Sequence, residues 1–469
     1  MGRTYLLLAA LALAAPLAAG FRGGAAPSRA SASRRAATCA AVSPGVAATE
    51  ASAPRFLSAE TARRVRDDFG TPCFVYDAKL LTEQAKQALA FDAAYGLTVR
   101  FAMKACPNRA VLELFRKLGV CIDASSGHEV SRAMTAGFKP QQISLSSQEM
   151  PNNIGELVKM GVEVNCCSLA QIEKIGSAAP GSKVGVRINP GIGSGGTGKT
   201  NVGGPESSFG IWHEQMPQVK ELLAKHQLTA TRVHTHIGSG SDPAVWQRVA
   251  SLTLDLARQL GPTVTSVNLG GGYKVGRMPG EVSTDLATVG APVRAAFEAF
   301  AKETGRELAL EIEPGTFLVA NVRAHLNGIE SFFSEGPVNR VIFSPVVLVN
   351  RASSLTPPHP ITKSCSSLTP PPPPITNSCE SGDLFTCGPG EPEVLLERPL
   401  HAPQIGDLCV IDGSGAYCAG MATKNYNSFP EAAEVMLGLD GMPHLVRKRQ
   451  TLEQVLQNEL PLPAAAVAH

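Results

Sequence analysis

The chain has 469 residues, 44% of them hydrophobic, and a formal net charge of +2. That length allows two domains plus targeting sequence, and the near-neutral charge offers no basic face to a nucleic acid. Eleven irregularly spaced cysteines with no CxxC pair exclude a disulfide framework and leave a metal site nothing to build on, so they read as reduced thiols.

Arg3 precedes the apolar run "YLLLAALALAAPLAAG", which suits a signal-peptide core and is too short for a membrane span. Cleavage beside Ala18, Ala19 and Gly20 leaves Phe21 at the new terminus. Residues 21–49 then carry arginine, serine and alanine with no acidic residue, which is transit-peptide composition. A signal peptide (1–20) followed by a transit peptide (21–55) resembles the bipartite address of plastids bounded by extra membranes, and no membrane partner is expected after processing. Ordinary secretion is the alternative, opposed by thiol chemistry that needs a reducing compartment.

From about residue 58 strand and helix alternate: "TPCFVYDA" is extended, "KLLTEQAKQALAFDAA" helical, "LTVRFAMKA" extended, "NRAVLELFRKLG" helical, "VCIDASS" extended. The rhythm continues through "LALEIEP" with about eight repeats over roughly 250 residues, the length of a (β/α)8 barrel. A doubly wound sheet is the rival. However, Lys104, Asp123, Asn189, His236, Gly270 and Glu313 all fall at strand ends, which converge on one face only in a barrel. The expected fold is therefore α/β: a (β/α)8 TIM-like barrel over residues 75–325, with a smaller β domain from 56–74 and 326–460 that the strand near 72–77 joins.

Some of these residues carry chemistry. Lys104, in "VRFAMKACPN", reads as a lysine on an apolar strand, costly to bury unless paired or used, and a desolvated lysine can form a Schiff base. Alone, snorkelling at the strand end explains it as well. In "LGGGYKVG", Gly270, Gly271 and Gly272 form a loop whose N–H groups suit a phosphate, to which Ser239 could donate. His236, in "HTHIGSG", could stack on an aromatic ring, and Glu313, in "LEIEPG", could hold a pyridinium N–H. Each is weak singly, since a GGG is usually a turn and a lone histidine usually a core residue. Together they specify pyridoxal phosphate.

The order "FAMKACPN … HIGSG … LGGG … EIEPG … CESGD … GAYCAGMATKNYNSFP" resembles the fold-type III pyridoxal-phosphate decarboxylases, and within them the diaminopimelate decarboxylase branch. The likeness covers roughly residues 70–345 and 379–460. It implies decarboxylation of meso-2,6-diaminopimelate to L-lysine, the last step of lysine biosynthesis, by a homodimer with shared active sites. It further implies that Lys104 carries the cofactor, His236 stacks on it, Ser239 and Gly270–Gly272 bind its phosphate, and Glu313 keeps its ring nitrogen protonated. Tyr417 then contacts phosphate and substrate, Cys379 reprotonates the α-carbon from the second subunit, and Glu380 reads the distal amino group. An ornithine- or arginine-type decarboxylase, or an impaired relative that binds the cofactor as a regulator, stands beside this reading.

Two departures bear on activity. After "EPG" the family has an arginine that grips a substrate carboxylate, and here the position is Thr316, which has no charged bidentate donor. Residues 350–378 replace a segment that carries a second such arginine with the near-duplicate units "SSLTPPHPITKSC" and "SSLTPPPPPITNSC". Their composition cannot form a packed element, and an abrupt join to "CESGD" reads as translated non-coding sequence, with a proline-rich linker as the alternative.

Overall fold

The computed structural model describes residues 56–193, 203–238, 240–277, 281–335, 338–343, 351–354, 405–421, 424–463 and 466. The targeting segments, Ser239, Cys379 and Glu380 lie outside these residues, as does 350–378 except for Arg351–Ser354.

Strand β1 (Cys73–Asp77) belongs to the smaller sheet. The next strands in order are β2 (Leu97–Ala102), β3 (Cys121–Ala124), β4 (Ile143–Leu145), β5 (Glu163–Cys166), β6 (Lys183–Asn189), β7 (Ile211–Trp212), β8 (Thr229–His234), β9 (Ser266–Asn268) and β10 (Ala309–Ile312). All of their pairings are parallel, and the path β2-β3-β4-β5-β6-β8-β9-β10 closes on itself because β10 pairs with β2. The result is a closed eight-stranded barrel, with β7 as a short addition beside β6.

Local chemistry starts the helices that cover it. Asp77, Asn108, Ser126, Ser168, Asp242 and Asp285 each sit at a helix N-cap and accept a hydrogen bond from a first-turn N–H. Outward strand residues such as Val99, Phe101, Ile122, Val186, Val233, Val267 and Ile312 pack with the helices in one continuous apolar core.

The other face of the same strands is polar. Side chains alternate across a strand, so Arg100, Asp123, Asn165, Arg187, Arg232, Glu311 and Glu313 fall inside the barrel, and all are buried. Near its floor Glu311 takes Arg100 Nε at 2.6 Å and Arg232 Nε at 2.9 Å, and both arginines also bind Glu163. Burial works to raise the Glu311 carboxyl, but the two guanidiniums outweigh it and hold the group ionised.

Beyond β10 come β11 (Arg323–Glu335), β12 (Val338–Phe343), β13 (Arg351–Ser354), β14 (Leu408–Asp412), β15 (Ala433–Leu437) and β16 (Pro443–Arg447). They form a mixed sheet in the order β13-β14-β11-β1-β15-β16, with β12 paired to β11. The helix Ala59–Phe69 covers it through Ala62 and Val65. Arg351–Ser354 pair antiparallel with β14, so the start of the 350–378 stretch is built into the sheet, contrary to the reading that it forms no packed element. Ladder bonds use the backbone, and these four residues precede the first proline.

Candidate functional site

Every strand-end residue singled out in the sequence lies at the C-terminal mouth of the barrel. Lys104 sits in a single 3₁₀ turn, Met103–Ala105, just beyond β2. It is exposed and lies two residues past the end of the strand at Ala102, so the strand-end reading of Lys104 holds and the reading of a lysine buried on the strand does not. Cys106 and Asn108 follow it into the buried junction with the smaller sheet.

That junction fixes the turn. Tyr76 on β1 donates to Glu434 Oε2 at 2.9 Å and accepts from Arg323 Nη1 at 2.8 Å. Asn108 also donates to Glu434, and the Cys106 thiol lies 3.4 Å from the Tyr76 hydroxyl. The backbone N–H of Tyr417 donates to Ala105 O at 2.8 Å, so the loop after β14 is tied to the residue after Lys104. Tyr417 holds φ at +67°, a left-handed conformation unusual for a side chain of its size.

Two strands around the barrel from β2, Gly270–Gly272 follow β9. Gly270 and Gly272 have φ of +72° and +105°. A Cβ on Gly270 would fall 2.5 Å from His236 Nδ1, and one on Gly271 would run into the Glu313 carbonyl oxygen. Only glycine lets the loop pass this close to both neighbours. The Gly271 N–H donates to His236 Nδ1 at 3.3 Å, which requires that nitrogen to be unprotonated. Burial chiefly, with Arg187 and Lys104 adding to it, pushes the His236 imidazole well below its ordinary range, so the ring is neutral.

Glu313 stands one residue beyond β10 and is 6% exposed. Asn268 Nδ2 donates to its Oε1 at 2.7 Å, while Asn268 Oδ1 accepts from the Gly270 N–H at 2.8 Å. One amide therefore sets both the carboxylate and the glycine loop. His234 Nε2 lies 3.3 Å from Glu313 Oε2. Burial works to raise the Glu313 carboxyl, but the close contact with His234 and the charge of Arg187 outweigh it and keep the group below the usual carboxylate range. Below the loop, Tyr273 stacks flat on Trp246 at 4.6 Å, and Gly240 N–H donates to Gly272 O at 2.8 Å.

The mouth thus brings together Lys104, His236, Gly270–Gly272, Glu313 and the Tyr417 loop. Asn268, His234 and Arg187 complete the polar lining and were missed in the sequence, although each lies in a strand close to a residue that was noticed. These groups suit pyridoxal phosphate: an accessible amine for its aldehyde, a close-packed glycine loop for its phosphate, and a persistent anion for its ring nitrogen.

A barrel with an amine, an anion and a phosphate cradle at its C-terminal face defines a pyridoxal enzyme of the TIM-barrel type. The pyridoxal-binding domain of the pyridoxal-dependent decarboxylases matches residues 81–320, and the chain belongs to that family. More particularly, it is similar to the diaminopimelate decarboxylases. It is 34% identical over 417 residues to that of Escherichia coli K12, covering 86% of this chain and 97% of the relative. The Streptomyces coelicolor enzyme is 34% identical over 418 residues, covering 85% and 91% of the two chains. A crystal structure of diaminopimelate decarboxylase superposes with a TM-score of 0.74 at 32% identity, over 85% of this chain and 96% of that one. The Helicobacter pylori enzyme complexed with L-lysine gives a TM-score of 0.68 at 23% identity over 84% of this chain and 98% of that one, a likeness of fold.

Proposed function

We propose that the chain is a carboxy-lyase that converts meso-2,6-diaminopimelate to L-lysine and carbon dioxide with pyridoxal phosphate at the barrel mouth. The observation that carries this reading is the convergence of Lys104, Gly270–Gly272 and Glu313 on one face of a barrel similar to diaminopimelate decarboxylases over most of its length. When bound, the cofactor supplies an aldehyde for the amino group and a ring that accepts the electron pair left by carbon dioxide.

The chain's own residues do the rest. Lys104 provides the tether, and the Gly270–Gly272 loop cradles the phosphate, its shape set by the Gly270 and Gly271 N–H bonds to Asn268 and His236. His236, neutral and fixed by Gly271, offers a flat ring to pack on the cofactor. Glu313 stays ionised and so holds a proton on the ring nitrogen. By family resemblance, Cys379 of a second subunit returns a proton to the α-carbon, Glu380 reads the distal amine, and Ser239 and Tyr417 complete the contacts. The same resemblance supports a homodimer with shared sites. The composition of residues 1–55 supports delivery to a plastid, where thiols remain reduced.

Thr316 supports a second reading, a chain that holds the cofactor but grips the substrate weakly. Product analysis tests both. Diaminopimelate, ornithine and arginine are offered separately, and equal amounts of lysine and carbon dioxide from diaminopimelate support the first reading. Faster turnover of ornithine or arginine refutes the substrate assignment, and cofactor binding without turnover of any of the three supports the second.

A further inference from the structure

The proposed reaction needs the Lys104 amine in two protonation states, and among the described residues the neighbouring strand end carries a buried carboxyl group with an unpartnered oxygen, that of Asp123. Asp123 lies at the C-terminal end of β3, in register with Ala102 of the strand that leads to Lys104. It is 4% exposed, and its Oδ1 has no hydrogen-bond partner. The other acids of the mouth are engaged. Glu313 is held by Asn268 and His234, and Glu129 Oε2 accepts the Ser125 N–H at 2.6 Å.

We propose that Asp123 exchanges a proton with Lys104: it takes the proton that the ammonium must lose before its nitrogen can attack an aldehyde carbon, and returns it when the amine is released. In the forward direction an N–H bond breaks on Lys104 and an O–H bond forms on Asp123. Nothing is oxidised or reduced, and the pair keeps the same total charge. The inference rests on the proposed function, since it concerns the amine that carries the cofactor.

The surroundings favour a proton on Asp123. Burial, first, and then the Glu313 carboxylate push its carboxyl well above the ordinary range, with Glu129 adding to this. Lys104 and Arg187 act in the opposite sense, Lys104 the more strongly, and the Cys167 thiol also lies in its field. Glu313 therefore has two parts: it serves the ring nitrogen, and its charge makes the neighbouring acid a willing proton acceptor.

The test follows the visible absorbance band that appears when pyridoxal phosphate is added to cofactor-free protein, so it does not depend on turnover. Asp123→Asn keeps the shape and removes the acid. Its band is expected to form about a hundredfold more slowly at neutral pH, the lower end of the usual contribution of a positioned acid or base. Asp123→Glu should recover much of the rate, and formate added to Asp123→Ala should restore it in proportion to concentration. Circular dichroism identifies any variant that fails to fold, and the formate response of Asp123→Ala then decides. Rates equal to the parent across the pH range, or no response to formate in a folded Ala variant, overturn the inference. A parent that never forms the band overturns the proposed function as well, whereas a parent that forms it while the variants match overturns only the role of Asp123.

Discussion

Replacing Asn268 by alanine removes the one side chain that holds both Glu313 and the glycine loop. The amide is fully buried, with a 2.7 Å bond to the carboxylate and a 2.8 Å bond from the Gly270 N–H. A hydrogen bond to a charged group is worth about 1.5–3 kcal/mol, and an orphaned buried donor costs about 1–3 kcal/mol. Together they amount to about 2.5–6 kcal/mol, reduced wherever water enters the gap. Urea unfolding of the cofactor-free protein reads the stability loss, and titration with pyridoxal phosphate reads the effect on the loop. Because about 1.4 kcal/mol is a factor of ten in affinity, a misplaced cradle should weaken cofactor binding at least tenfold. Asn268→Asp separates the two bonds, since it still accepts from Gly270 but sets a like charge against Glu313. That variant should keep more of its cofactor affinity than of its activity. An Asn268→Ala protein within about 0.5 kcal/mol of the parent, with unchanged cofactor affinity, would refute the reasoning.

Three further outcomes are expected. Gly271→Ala places a methyl against the Glu313 carbonyl and should prevent cofactor loading; normal loading in an absorbance titration contradicts the cradle. His325 is buried with both ring nitrogens unpartnered, and burial lowers its pKa from 6.5 to about 3. Between those values the unfolded chain holds the extra proton, so stability falls as pH drops, by about 1.4 kcal/mol per unit. His325→Leu should flatten the difference between urea midpoints near pH 5 and pH 7, and an unchanged difference sinks the assignment. Thr316→Arg should lower KM for diaminopimelate about tenfold, the scale of one added charge-assisted pair, and an unchanged KM shows that position 316 does not face the substrate.

Where the sequence was readable, strand ends explain why. Lys104, Asp123, Asn189, His236, Gly270 and Glu313 each follow or finish an apolar run, and parallel closure brings such ends to one face. The polar interior was harder to see. Arg100 and Glu311 stand within runs that read as ordinary buried strands, and their tolerance depends on meeting each other, with Arg232 and Glu163, across the barrel. The alternation of side chains held the signal: Glu311 shares the face of Glu313, and Arg232 that of His234. The helix caps were equally legible one by one, but no local pattern shows that Tyr76, Arg323 and Glu434 meet beneath Cys106, because that junction joins three distant stretches of chain.

The most direct test of the whole account is where the cofactor attaches. Protein incubated with pyridoxal phosphate is reduced with borohydride, digested and analysed by mass spectrometry. A pyridoxyl-phosphate adduct is expected on the peptide carrying Lys104, and its loss in Lys104→Ala. An adduct confined to other lysines, or none at all with folded protein, would contradict it.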